Sequence, residues 1–422
     1  MAMNSNGPFR NMPRHMKNEK LQGYPMKKMS DLLPENFYTE YWQNKPFVLK
    51  TAFTNSLSEI SQILSSKNMQ SLLISREVES KVVVVENKLQ DFDYHWEEGP
   101  FNRSSLKAYN NQKSNFLVQK LNFHLPQLDE YFSFFDCIPN WARADIMLSL
   151  GVEGGSVGPH RDLYDVFILQ IEGDRIWNFE KKKRYGEIHS KYEELEILSD
   201  FKIQQQIVLN PGDLLYIPPL VAHWGINKGS STSLSFGFRR PDRKNLLRDL
   251  FDEFLETEKD QNRSRVHAAE LADFLEYANP SKPNELSNNY LHAELRKLKE
   301  KVIKFERYLT ENNIQNKIAE YLTGFQIEPL ITEQEGQGRD LFRFKPGIKR
   351  IYFHNKKHYT VVLDGGTSLE NLTLGAAKLL CDQDQFEIKH LKVLLNSEAT
   401  VRSTMRTLRD ENLIFSMVSN KA

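Results

Sequence analysis

Cysteine is almost missing from this chain of 422 residues: Cys137 and Cys381 are the only two. That excludes a disulfide scaffold and any thiolate-rich zinc module, so a metal here must be held by histidine and carboxylate. Net charge is missing as well, because 56 Lys and Arg balance 56 Asp and Glu. A coat for nucleic acid needs a positive field, and an acidic disordered chain needs an excess of the other sign; neither is present. No apolar run approaches the roughly 18 residues of a membrane span, and the first residues, MAMNSNGPFR, lack the apolar stretch of a secretion signal. The expectation is a cytoplasmic, multidomain globular protein with no membrane partner. With 40% hydrophobic residues the chain can bury a core.

Residues 1–30 are polar and basic, with Arg10, Arg14, Lys17, Lys20, Lys27 and Lys28 against Glu19 alone. They read as a mobile basic tail. Aromatic residues at Phe37, Tyr38, Tyr41 and Trp42 predict a helix from Asn36, ahead of Pro46 and the strand FVLK. From there to about Arg240, short β-type segments alternate with Gly, Pro and Asp turns: ADIMLSLGV, YDVFILQI, RIWNFE, QQIVLN, LLYIP and TSLSFGF. Such spacing predicts an all-β barrel or sandwich over 31–240.

After Pro241 the pattern turns helical. Leu246, Leu247, Leu250, Phe251, Phe254 and Leu255 share one face, with Asp242 as N-cap. Beyond Pro280 and Pro283, Leu291, Leu295, Leu298, Val302, Phe305 and Leu309 step by 4, 3, 4, 3 and 4, a heptad seam. The seam can close against the preceding helix or against a second copy. A homodimer through 241–320 is the reading preferred, since two helices and a turn make a poor core alone. In 321–422, strand-like FRFKPGIKRIYFH and YTVVL precede helices expected at Leu369–Leu380, Gln385–Leu395 and Thr400–Glu411, then the strand LIFSMV. Helices ending in a β-wing resemble a winged-helix domain.

The segment Gly154–Phe179, GGSVGPHRDLYDVFILQIEGDRIWNF, carries the chemistry. His160 and Asp162 lie one residue apart at a strand start, and period-2 alternation puts them on one face. His223 follows 61 residues after Asp162, within PGDLLYIPPLVAHWG. A His-x-Asp pair with a distant His is the spacing of a 2-His-1-carboxylate triad, which leaves positions open on an octahedral metal; non-heme Fe(II) oxygenases use them. Pro-Gly-Asp as turn, LLYIP as strand and a second turn delivering the histidine form a cupin pattern.

With YWQNKPFVLKTAF near the start, GPHRDLYDVFILQ, DRIW and PGDLLYIPPLVAHWG…SLSFGFRRP together resemble the JmjC-type ribosomal oxygenases, most closely their bacterial arginine-hydroxylase branch. The resemblance implies an α+β chain: a double-stranded β-helix (cupin/JmjC) barrel, a helical dimerisation region and a C-terminal winged-helix-like domain. It implies an Fe(II)- and 2-oxoglutarate-dependent dioxygenase that uses O2 to hydroxylate a side chain, an arginine, of a large-subunit ribosomal protein. His160, Asp162 and His223 match the catalytic metal ligands. Arg175 falls where that branch binds the far carboxylate of 2-oxoglutarate; alternation with Trp177 and Phe179 also turns it inward, and a guanidinium grips a carboxylate with two parallel hydrogen bonds. Ser233 and Ser235 could add a hydroxyl to that site. Val166, Phe167, Leu169 and Trp177 are candidates for an apolar wall. Glu153 and Asp145 are candidate partners for a substrate guanidinium, outside the catalytic set.

Two features depart from the family pattern. Pro218-Pro219-Leu220 stands where relatives place a glycine, and Arg161, between the two ligands, must point away from the metal. The alternatives are histidine hydroxylation or lysine demethylation, or a ligand-sensing DNA-binding regulator. Arg402, Arg406 and Arg409 give the last some support, but 321–422 carries 14 Lys and Arg against 12 Asp and Glu, too little excess for direct DNA binding.

Overall fold

The computed structural model describes residues 28–88, 91–181, 187–239, 242–261, 288–324, 340–345, 347–355, 357–395 and 397–417. Most of the basic tail, Pro280 and Pro283 lie outside them. The chain divides into two compact units. One is 1–240 with 327–347 and 414–422; the other is 241–326 with 348–413.

The first unit is built on a nine-stranded antiparallel sheet. In chain order its strands are β1 (Phe47–Leu49), β2 (Ser80–Lys88), β3 (Asp91–Glu98), β4 (Ser114–Val118), β5 (Arg143–Gly151), β6 (Asp165–Phe179), β7 (Gln205–Leu209), β8 (Leu214–Ile217) and β9 (His223–Phe238). The order across the sheet is β1-β8-β6-β9-β5-β4-β2-β3, with β7 on the far end of β6. The segments YDVFILQI and RIWNFE are one long strand, β6, and β9 begins already at His223. β6 and β9 pair along their whole length, from Asp165↔Phe238 to Phe179↔His223, with register shifts around Glu172. Gly173 sits in that irregularity at φ +65°, where a β-carbon would lie 1.9 Å from the Ser230 carbonyl oxygen, so only glycine fits.

Two apolar cores flank β6. The larger takes Phe167 and Leu169 of β6, Phe236 and Phe238 of β9 and the aromatic cluster Phe132, Phe134 and Phe135. The second, on the opposite face of β6, takes Val166, Ile168, Trp177 and Phe179 with Leu215 and Ile217. The helix expected from Asn36 is a single wide turn, Phe37–Tyr41. Its rings are used one by one: Phe37 is buried against Phe47 and Tyr216, and Trp42 stacks on Tyr216 at 5.4 Å. Gln43 then takes φ +55°, which a longer helix would not allow. Strands Leu341–Phe344 and Ile414–Met417 pair antiparallel in this unit.

In the second unit, Phe305 and Tyr308 of the helix Asn288–Tyr308 pack on Phe251 and Phe254 of the helix Arg243–Gln261. Leu295, Leu298 and Val302 of the heptad seam stay 51–60% exposed; the side chain of Leu291 is outside the described set. The helix Glu311–Thr323 follows. A three-stranded meander, Arg350–Asn355, His358–Leu363 and Thr367–Leu372, precedes helices Leu374–Asp382, Ile388–Leu394 and Glu398–Asp410. Two expected helices therefore begin late. Residues 367–372 are a strand that buries Leu369 and Leu372, and the helix starts only where Thr373 caps it by accepting from Ala376 N. Gln385–Glu387 is likewise extended before its helix.

Candidate functional site

His223 opens β9, whereas His160 and Asp162 lie in the segment just ahead of β6 and outside any strand, not at the strand start that their spacing predicts. A backbone bridge couples His160 to His223, with His160 N donating to His223 O (3.0 Å) and the reverse bond at 2.9 Å. The imidazoles stand 4.3 Å apart, centre to centre. Each ring has a carbonyl against Nδ1: Gly158 O at 3.0 Å for His160, Val221 O at 2.9 Å for His223. That contact fixes the tautomer with hydrogen on Nδ1 and leaves Nε2 as a lone-pair donor. Asp162 Oδ2 lies 3.7 Å from His223 Nε2, and one ligand atom from each of the three residues falls within 4.8 Å of the others.

Metal bonds of about 2.1 Å at right angles need ligand atoms about 3 Å apart, so a small closure would complete the shell. Two neutral nitrogens and a carboxylate suit a divalent first-row metal. Burial and the neighbouring His160 hold His223 well below its ordinary range, with Arg175 adding to this, so it is a neutral donor. Burial raises Asp162, opposed by the nearby charges of His160 and Arg239. Another acidic cluster, Glu86, Asp93 and His95, is no rival, because Lys191 and Tyr192 already hold Asp93.

The Pro218-Pro219-Leu220 turn delivers His223 without the glycine. Leu220 itself adopts φ +65°. Its N–H donates to Asp162 O at 2.8 Å, and Val221 N closes the turn on Pro218 O. Pro at the second and a left-handed residue at the third position define a type II turn. Leucine thus takes the left-handed position that a type II turn requires. Arg161 is not among the residues lining the cavity next to the triad, whereas His160 and Asp162 are.

That cavity, about 220 Å³, runs from the triad to Arg175. Arg175 is 3% exposed. Its Nη1 donates to Ser149 Oγ (2.7 Å) and Ser233 Oγ (3.2 Å), and its guanidinium lies 4.8 Å from the Trp177 ring centre. Desolvation brings its pKa down to about 10. No carboxylate among the described residues pairs with it, so it is a buried cation ready for an anion. Ser235 lines the cavity too, but the hydroxyls that Arg175 holds are those of Ser149 and Ser233.

Of the wall candidates, Val166 and Trp177 face the cavity, together with Ile168. Phe167 and Leu169 point the other way, into the larger core, as strand alternation from Val166 requires. Asp145, Met147 and Tyr164 line the cavity. Tyr164 is held above its ordinary range by the charge of Asp162, then by burial and Asp145; Arg239 stacks on it at 5.2 Å. Glu153 is elsewhere, accepting from the Gly229 amide in an exposed turn. Reading the sequence overlooked Ser149, Met147, Tyr164 and Arg239. The parity of β5, with Asp145, Met147 and Ser149 on one face, was the signal available for the first two.

Three comparisons bear on this arrangement. The JmjC domain family matches residues 130–246. A probable ribosomal oxygenase of Haemophilus influenzae is 32% identical over 234 residues, 55% of this chain and 56% of that protein. The ribosomal protein uL16 3-hydroxylase of Escherichia coli is 34% identical over 224 residues, 53% of this chain and 57% of that one. The chain thus spans a little over half the length of the curated relatives it matches. Among solved structures, the Escherichia coli ribosomal oxygenase YcfD in complex with cobalt and 2-oxoglutarate superposes with a TM-score of 0.64 at 23% identity, over 90% of this chain and 97% of that one, a likeness of fold.

Proposed function

Because residues 130–246 are a JmjC domain and the relatives are ribosomal oxygenases, we propose that this protein is an Fe(II)- and 2-oxoglutarate-dependent dioxygenase that hydroxylates a ribosomal protein. The observation that carries the reading is the pairing of a 2-His-1-carboxylate set with a buried, carboxylate-free Arg175 across one cavity. When bound, iron, 2-oxoglutarate and O2 together supply the oxidising power: the keto acid leaves as succinate and CO2, and one oxygen atom enters a substrate C–H bond.

His160 and His223 present Nε2, and Asp162 a carboxylate oxygen, to the metal. Arg175 takes the far carboxylate of 2-oxoglutarate, with Ser149 and Ser233 fixing the guanidinium. Val157, Val166, Ile168, Trp177 and Leu195 keep water from the reacting atoms. Asp145 lines the cavity and offers a carboxylate to a cationic side chain, which favours arginine as the target. The 31–240, 241–320 and 321–422 division, with a winged-helix-like last part, belongs to the same reading. So does a homodimer closed by the exposed Leu295–Val302 seam, and so does work in the cytoplasm, where ribosomal proteins are met. Among the described residues no helix is long and apolar enough to cross a membrane.

The test is incubation of the purified protein with Fe(II), 2-oxoglutarate, O2 and ribosomal proteins, read by mass spectrometry. Gain of one oxygen atom on a single protein is expected, and its loss in His160→Ala and Asp162→Ala. Full turnover in both variants would refute the metal assignment.

A further inference from the structure

Behind Arg175 lies a buried polar chain with no contact to the metal ligands. Asn227 Nδ2 donates to Asn115 Oδ1 at 2.9 Å. Asn115 Nδ2 donates to Ser149 Oγ at 3.0 Å, and Arg175 Nη1 reaches the same oxygen at 2.7 Å. Asn115 is 0% and Asn227 1% exposed, a costly place for two amides unless they do something. Space for their contact is kept open by Gly151, where a β-carbon would lie 2.1 Å from Asn227 Nδ2 and 2.7 Å from Asn115 Oδ1.

A hydroxyl has two lone pairs and one hydrogen. On Ser149 both lone pairs are filled, by Asn115 and Arg175, so only the hydrogen is left to bond. Within the protein it can rest on Asn115 Oδ1, 3.2 Å away, an oxygen that already accepts from Asn227. Ser149 also lines the cavity, and a carboxylate there is a stronger acceptor than an amide.

We infer that Asn115, oriented by Asn227, is a positioning residue that makes Ser149 a second hydrogen-bond donor to the far carboxylate of 2-oxoglutarate, beside Arg175. This rests on the co-substrate reading above and adds to it how the carboxylate end is discriminated. Asn227 fixes which end of the Asn115 amide faces Ser149, and Asn115 Nδ2 fills the lone pair that would otherwise repel the ligand.

The experiment is calorimetric titration of the full-length protein, with Mn(II) in place of iron and no turnover, using 2-oxoglutarate and, in parallel, 2-oxobutyrate, a keto acid without the far carboxylate. In Asn115→Asp the new oxygen keeps the Ser149 hydrogen and competes for Arg175. 2-Oxoglutarate should weaken about tenfold, as for loss of one charge-assisted bond, and 2-oxobutyrate should not change. Ser149→Ala should give the same selective loss, and the double variant no more than either single one. Additive losses, equal weakening of both acids, or an unchanged Asn115→Asp would each overturn the inference. Should Asn115→Asp fail to fold, Asn227→Ala, which frees the Asn115 amide to rotate, must show the selective loss instead. A wild-type protein that bound Mn(II) but no 2-oxoglutarate would overturn the functional reading itself, a result distinct from the others.

Discussion

Leu220 holds a backbone conformation that L-residues avoid at a cost of about 1–2 kcal/mol, because the type II turn before His223 demands it. Unbranched at its β-carbon, leucine can be forced there; a β-branched residue resists far more. Leu220→Ile is therefore expected to destabilise by about 1–2 kcal/mol and to weaken Mn(II) binding, whereas Leu220→Gly should bind metal as the parent does. Denaturant midpoints and metal titrations check both. At the other end of the cavity, Arg175→Met removes the buried cation proposed to hold the far carboxylate of 2-oxoglutarate. Affinity for 2-oxoglutarate should fall at least tenfold while Mn(II) affinity, set by His160, Asp162 and His223, stays within about twofold.

At the scale of elements, the helix Asn288–Tyr308 is half closed. Its C-terminal end is covered where Phe305 meets Phe251 at 5.0 Å, and Leu295, Leu298, Val302 and Ile303 lie open. Leu298→Glu should convert the proposed dimer to monomers in light scattering without lowering the melting temperature of the monomeric fold; an unchanged mass would show that the seam serves something else. On the helix Leu374–Asp382, burial pushes the Cys381 thiol up to about 12. Native protein should resist iodoacetamide there at pH 8. Since the folded value is raised, the contribution of this thiol to stability is intact below the unfolded value near 9 and is lost as pH climbs from 9 towards 12.

The elements also show why some of the chain was legible and some was not. His160 and Asp162 are legible as a pair because their spacing is local, and His223, 61 residues further on, because the turn–strand–turn pattern PGDLLYIPPLVAHWG marks it. Arg175 is singled out by the family resemblance, and its alternation with Trp177 and Phe179 agrees by turning it inward. Phe167 and Leu169 were placed on the wrong side because apolar residues look alike on either face of a strand with a core on each side. The aromatic run from Phe37 shows helical spacing, yet rings docking one by one against Tyr216 override it. Asn115 and Asn227 belong to strands distant in sequence, and nothing local marks an amide whose partner is 112 residues away.

For the whole molecule, the proposed metal site predicts a coupling of stability to metal. A divalent ion at a hundred times its dissociation constant adds about 2.7 kcal/mol to the folded state. Mn(II) should raise the denaturant midpoint, a chelator should reverse this, and Asp162→Ala should abolish the response. Neutral overall charge bears on partner meeting: association with the proposed ribosomal-protein substrate gains little from long-range steering and should depend only weakly on salt.

The irregularity around Gly173 gives β6 two phases. Ahead of it the cavity side is even-numbered, Val166 and Ile168; past it the cavity side is odd-numbered, Arg175 and Trp177. Length is therefore constrained in 170–175 as tightly as identity. A natural variant or a sequencing artefact one residue shorter there would still show every recognisable motif, with all three metal ligands present, yet its arginine would be turned out of the cavity. Such a chain would bind a metal and never engage a dicarboxylate, and motif matching alone would not tell it from a working enzyme.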